Sequence, residues 1–181
     1  MNIFISCGHN NARNIRNILT KDQWAVSNWF TEYGIVKEVA RLLPARYKWI
    51  HTLVFVPEWL SLVERIKWIN NRIKSGDVSI ELHMNAGGWT GCEVFYMANS
   101  KYMKDTASSF SKSLSESLNI FNRWAKPDTA TRFGRLGFIR DTKYSSLLIE
   151  LWFIDSEYDR SQVINLGSSS LAKVLKDIYL Q

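Results

Sequence analysis

The side chains of this 181-residue chain with the clearest chemical potential are three histidines, His9, His51 and His83, and two glutamates set among apolar residues, Glu32 and Glu150. His9 follows Gly8 at the end of the apolar run Ile3-Phe4-Ile5-Ser6-Cys7, and His83 lies late in Val78–Asn85. Taken singly, each histidine is more readily structural than chemical; His9 and His83 gain weight as a pair at strand ends. A hydrolytic zinc site uses about three protein ligands and keeps a position open, so two histidines call for a carboxylate. At roughly 100° per residue, Val36, Val39, Ala40 and Leu43 fall on the side of Glu32, whereas Glu38 points roughly 120° away. A glutamate on a buried helix face costs energy unless it is paired or metal-bound. Glu150 is the only charge in Leu147-Leu148-Ile149-Glu150-Leu151-Trp152-Phe153. Buried, it would have a raised pKa and suit a general base; on the outer face of an edge strand it would simply be solvated.

The elements that must position these residues follow from periodicity and punctuation. Asn2–Ser6, Thr52–Val56, Val78–Asn85, Glu93–Met97, Gly137–Arg140 and Leu147–Phe153 read as strands, and Lys21–Leu43 reads as a helix stopped by Pro44. Ser61 and Glu64 have the spacing of a capping box, with Leu62, Ile66, Ile69 and Ile73 following at helical intervals. Phe110, Leu114, Leu118 and Phe121 mark another helix, and Ser170–Leu180 a closing one. Alternating strands and helices, with mostly apolar strands, imply an α/β fold: a single-domain layered sandwich, residues 1–181, whose mostly parallel mixed central sheet is covered by helices on both faces. Such sheets bind ligands at the carboxyl ends of their strands. His9, His83 and Glu150 fall at that edge, and His51, which precedes its strand, at the opposite one.

Composition limits the function classes. The net charge of +6 favours anionic partners, but the basic residues are scattered without a run of five. No segment has the length of a membrane span, and the N-terminus lacks the basic start and apolar core of a signal peptide. Synthesis in the cytoplasm is therefore expected. Cys7 and Cys92 are the only cysteines, in neither CxxC nor disulfide-framework spacing. No nucleic-acid motif is present.

Five segments, in order and covering nearly the whole chain, resemble the catalytic domain of zinc-dependent N-acetylmuramoyl-L-alanine amidases. Ile5-Ser6-Cys7-Gly8-His9-Asn10 stands where that family has Asp-Pro-Gly-His-Gly, and Glu32 with Ala40 and Leu43 resembles its glutamate helix. Ser79-Ile80-Glu81-Leu82-His83-Met84-Asn85-Ala86 resembles the strand written SIHANA, and Gly91-Cys92-Glu93-Val94-Phe95-Tyr96 the following GxEVYY. Leu148–Ile154 resembles LVEVGFL, with Asp159 near the usual NPxD position. Ser6-Cys7 in place of Asp-Pro, Asn10 in place of glycine and Trp152 in place of glycine are departures that touch pocket shape rather than ligands.

The resemblance implies one Zn²⁺ held by His9, Glu32 and His83, with Glu150 as the catalytic base. The reaction it implies is hydrolysis of the amide between N-acetylmuramic acid and the L-alanine of the stem peptide. Asn85 would orient substrate or cap its strand, and Arg140 would meet a peptide carboxylate. The implied partner is bacterial peptidoglycan, with anionic wall polymers attracted by the positive charge and no nucleic acid. A leaderless catalytic domain without a wall-binding domain fits a phage endolysin that reaches the wall through a phage-made membrane pore; a cytoplasmically stored autolysin or a domain excised from a longer protein fits it too. A zinc peptidase cutting within the stem peptide would use the same ligands. A non-catalytic wall-binding module would have no use for Glu150.

Overall fold

The computed structural model describes residues 1–9, 26–27, 30–46 and 51–179. Strand β1 (Asn2–Cys7) is followed by two short strands, β2 (Val26–Ser27) and β3 (Phe30–Thr31), and by helix α1 (Glu32–Arg46). Next come β4 (Thr52–Phe55), α2 (Leu62–Asn70), β5 (Val78–Asn85), β6 (Cys92–Tyr96), α3 (Lys101–Leu118) and β7 (Asn122–Pro127). A 3-10 turn at Asp128–Ala130, α4 (Gly137–Asp141), β8 (Ser145–Phe153) and α5 (Glu157–Tyr179) complete the chain.

Six strands form one sheet in the order β4-β1-β5-β8-β6-β7. Every pairing is parallel except β6 with β8, which gives the mostly parallel mixed sheet expected from the sequence. Strand alternation sends Ile3, Ile5, Ile80, Leu82, Val94, Leu147 and Ile149 to one face, where they pack with α1, α3 and α5. Phe4 points to the other face and packs with Ile66 and Ile69 of α2 and Phe138 of α4. Phe95 and Leu148 share that second face with Ile139. Helices α2 and α4 are short, 9 and 5 residues, and the polar residues that β5, β6 and β8 present to their face are gathered in a cleft.

Several expectations change. The helix expected over Lys21–Leu43 begins at Glu32, because β2 and β3 pair antiparallel just before it; Trp29 lies outside the described residues. The helix also runs past Pro44 to Arg46. Proline withholds one amide from the carbonyl of Ala40, a loss of one helical hydrogen bond. Gly137–Arg140 is helical rather than a strand, since a short apolar run does not distinguish the two; the helix divides Phe138 and Ile139 between two clusters. The edge strand β7, Asn-Arg-Trp-Ala-Lys-Pro, lacks apolar alternation and carries an irregular register against β6. The closing helix starts at Glu157, well before Ser170. There Gly167 allows close approach to α1: a Cβ would stand 3.2 Å from Val39 Cγ2. The capping box is present as read, with Ser61 and Glu64 bonded reciprocally.

Candidate metal centre

Glu32 is the first residue of α1 and is 1% exposed. Its Oε1 accepts hydrogen bonds from the Met84 amide at 3.0 Å and lies 3.1 Å from His83 Nδ1 and 3.9 Å from His9 Nε2. The two imidazoles meet edge to face, with ring centroids 4.9 Å apart. One ligand atom from each of His9, Glu32 and His83 lies within 4.8 Å of the others. Two imidazoles and a carboxylate brought together in this way are the donor set of a hydrolytic zinc site.

The turn carrying His9 is built differently from a simple glycine corner. The left-handed backbone falls on His9 itself, at φ 47°, a conformation uncommon outside glycine. Gly8 is required for another reason: a Cβ there would be 2.2 Å from His83 Cε1. The backbone of β1 therefore backs directly onto the His83 ring, and the Gly8 amide donates to the Leu82 carbonyl at 2.8 Å.

Glu150 faces the same cleft from β8, where it is the register partner of both His83 and Glu93. Its Oε2 is buried and has no hydrogen-bond partner among the described residues. Burial, together with the neighbouring carboxylates of Glu32, Glu93 and Glu81, pushes its carboxyl up to about 8 against the attraction of His83. Glu32 behaves oppositely. Burial would raise it, but the hydrogen bond and charge of His83, the charge of His9 and the Met84 amide hold it below its ordinary value. Glu93 accepts from Lys126 Nζ at 2.5 Å and Arg123 Nε at 3.1 Å, an ion pair with two cations. A cleft of about 580 Å³ opens over this cluster, walled by Asn85, Lys126, Arg132 and Phe133 among others. A separate cavity of about 360 Å³ between α1 and α5 is mainly apolar and lies away from the histidines.

The sequence-derived candidates divide clearly. His9, Glu32, His83, Asn85 and Glu150 all line the cleft. Asn85 is not a strand cap; its side-chain amide donates to Glu93 Oε1 at 2.9 Å. Arg140 is not brought into the cleft wall. Its guanidinium is committed to Asp128, which is fully buried, with Nη2 at 2.9 Å from Oδ1. His51 lies at the far edge, its Nε2 2.7 Å from the Tyr179 carbonyl. Asp159 is also fully buried and accepts from the amides of Gly91 and Phe153, pinning the turn before β6 to the end of β8. Cys7 and Cys92 are free thiols on strands separated by β5 and β8, and burial pushes both up to about 12, the register of packing residues. Among the described residues no helix is long and apolar enough to cross a membrane.

Sequence reasoning missed Glu81. It is 2% exposed, lies on the same strand face as His83, and has its Oε2 3.1 Å from His83 Nε2. The available signal was the one that singled out Glu150: a lone charge inside an apolar strand, here Val78–Met84.

Curated protein sequences yielded no match. Among solved structures, the catalytic domain of the CD27L endolysin, which targets Clostridium difficile, is 28% identical, with a TM-score of 0.74 over 99% of this chain and 97% of that one. An N-acetylmuramoyl-L-alanine amidase from Clostridium difficile 630 has the same fold at 21% identity and a TM-score of 0.76, covering 99% and 94%. So does the catalytic domain of CwlV from Paenibacillus polymyxa, at 20% identity and 0.72, covering 97% and 94%. The profile of the N-acetylmuramoyl-L-alanine amidase family matches residues 3–177, and with its cleft at the predicted strand edge the chain belongs to that family.

Proposed function

We propose that this peptidoglycan amidase works with one zinc ion held by His9, Glu32 and His83, and that Glu150 is its catalytic base. The observation that carries the reading is the position of Glu150. A buried carboxylate oxygen without a hydrogen-bond partner among the described residues stands in register with His83, over a His-Glu-His cluster. Zinc in that cluster would polarise the scissile carbonyl and lower the pKa of an attacking water.

The protein's own groups account for the rest of the reaction. Glu150 takes a proton from the attacking water and later delivers it to the departing L-alanine amine, one carboxyl serving both transfers. Burial on β8 beside other carboxylates makes it a stronger base than a solvated glutamate. Asn85, oriented by Glu93, and the cationic wall of Lys126 and Arg132 hold the muramyl peptide across the cleft. A stem peptide bears carboxylates, for which a cationic wall is suited. The net charge of +6 assists approach to anionic wall polymers. Likeness to an endolysin catalytic domain along nearly its whole length supports a lytic role on the bacterial wall.

Digestion of purified peptidoglycan tests the proposal. The expected products are new L-alanine amino termini and free muramyl lactyl groups, with one zinc per chain in the active protein. Cleavage within the stem peptide would replace the amidase reading by the peptidase one. Full activity after exhaustive removal of metal would end the zinc assignment.

A further inference from the structure

An imidazole that ligates a metal through one nitrogen has one nitrogen left, and what that second nitrogen meets fixes the ring. His83 is held on both sides. Its Nδ1 faces Glu32 within the ligand cluster, and its Nε2 faces Glu81 Oε2, each at 3.1 Å. Glu81 is itself held: its Oε1 is 3.1 Å from Arg65 Nη2 and 3.3 Å from Ser6 Oγ. Arg65 also donates through Nη1 to the carbonyl of Cys7, the residue before the Gly8-His9 turn. Arg65, Glu81 and Ser6 are 5%, 2% and 0% exposed.

Burying an ion pair costs desolvation that an apolar pair of similar size avoids. Stability alone is therefore a poor reason for Arg65 and Glu81 to lie under the sheet. Their geometry supplies a better one. Glu81 precedes His83 by two residues, so strand alternation puts both side chains on one face. In the strand motif that this segment resembles, SIHANA, the residue two before the histidine is serine; here that position is Glu81.

We infer that Glu81, fixed by Arg65, is the positioning residue that sets His83 as the tautomer protonated on Nε2 with Nδ1 directed at the metal. Arg65 extends the same control to the first ligand, because it anchors the backbone from which His9 projects. The inference rests on the metal centre proposed above. Neither Glu81 nor Arg65 touches substrate; both act through the ligands.

The test is zinc affinity, measured by competition with a chromogenic chelator on the full chain, together with nitrogen-15 histidine spectra of the zinc-loaded protein. Wild type should show His83 ligated through Nδ1 with a proton on Nε2. Glu81→Ser should bind zinc about 10–100-fold more weakly, and Glu81→Gln, which keeps an acceptor, should recover part of that loss. Circular dichroism of the zinc-free variants checks the fold. Should Glu81→Ser fail to fold with Arg65 left unpaired, the double variant Arg65→Met/Glu81→Leu removes both charges and carries the same expectation. Affinity within twofold of wild type in folded variants would overturn the inference, as would ligation through Nε2. Absence of zinc binding by wild type itself would instead remove the metal centre on which it stands.

Discussion

Replacing Glu150 with glutamine in the zinc-free protein should remove a pH dependence that the cleft builds into the fold. Glu150 lies on β8 between Ile149 and Leu151, with Oε2 buried and without a partner among the described residues. Burial and the surrounding carboxylates raise its carboxyl from 4.5 to about 8. The folded protein thus keeps a proton that the unfolded chain has already released. Stability falls as pH rises through that window, by about 1.4 kcal/mol per pH unit, and levels off above the folded value. Between pH 5 and pH 8 the wild type should lose about 3–4 kcal/mol relative to Glu150→Gln, which has the shape of the protonated acid and cannot titrate. Glu32, Glu81 and His83 are present in both proteins, so their own titrations largely cancel. Urea unfolding in chelator at pH 5, 6.5 and 8 measures the gap. Near-parity at pH 5 and a clear lead for the variant at pH 8 are expected, and added zinc should narrow that lead, because a cation favours the charged carboxylate. A gap that stays constant from pH 5 to pH 8 would refute the placement of Glu150 in a desolvated, carboxylate-rich site.

Other substitutions separate the roles. Glu150→Ala should reduce hydrolysis of peptidoglycan by at least about 10²-fold with zinc content retained, whereas His9→Ala should lose the metal, both read by metal analysis beside a turbidity assay. Gly8→Ala should weaken zinc binding, because the added methyl would overlap His83 Cε1 at 2.2 Å; wild-type affinity in a chelator competition would contradict this. Arg140→Met should cost about 2–4 kcal/mol by leaving the buried Asp128 carboxylate without its cation. Its KM should stay unchanged, since Arg140 serves the fold and not the substrate; a raised KM with unchanged stability would restore the substrate role.

Much of the site was legible because its logic is local. Glu32 sits on the buried side of its helix by periodicity alone, and its 1% exposure follows. His9 and His83 reach the carboxyl edge because their strands run parallel. Where local patterns were weak, reading failed. Asn122–Pro127 has no alternation because it is an edge strand with a polar outer side, and Trp124 there takes a φ of 71°. Phe138 and Ile139 have the same composition in a strand or a helix turn, and only the two clusters that receive them decide between the two.

Side-chain chemistry, strand and helix faces, and the edge of the sheet were determined by the sequence itself, because each depends on periods of two or 3.6 residues within one segment. Which charge meets which was decided only by the tertiary structure. Glu150 stands opposite His83, 67 residues earlier in the chain, because β8 lies next to β5 in the sheet, and no local pattern specifies that register. Arg65 is an ordinary helix residue until α2 packs against Phe4 of β1 and sets it against Glu81, while Arg140 is a plausible substrate contact until α4 sets it against Asp128. Contacts between segments depend on strand order and packing, which short-range periodicity does not carry.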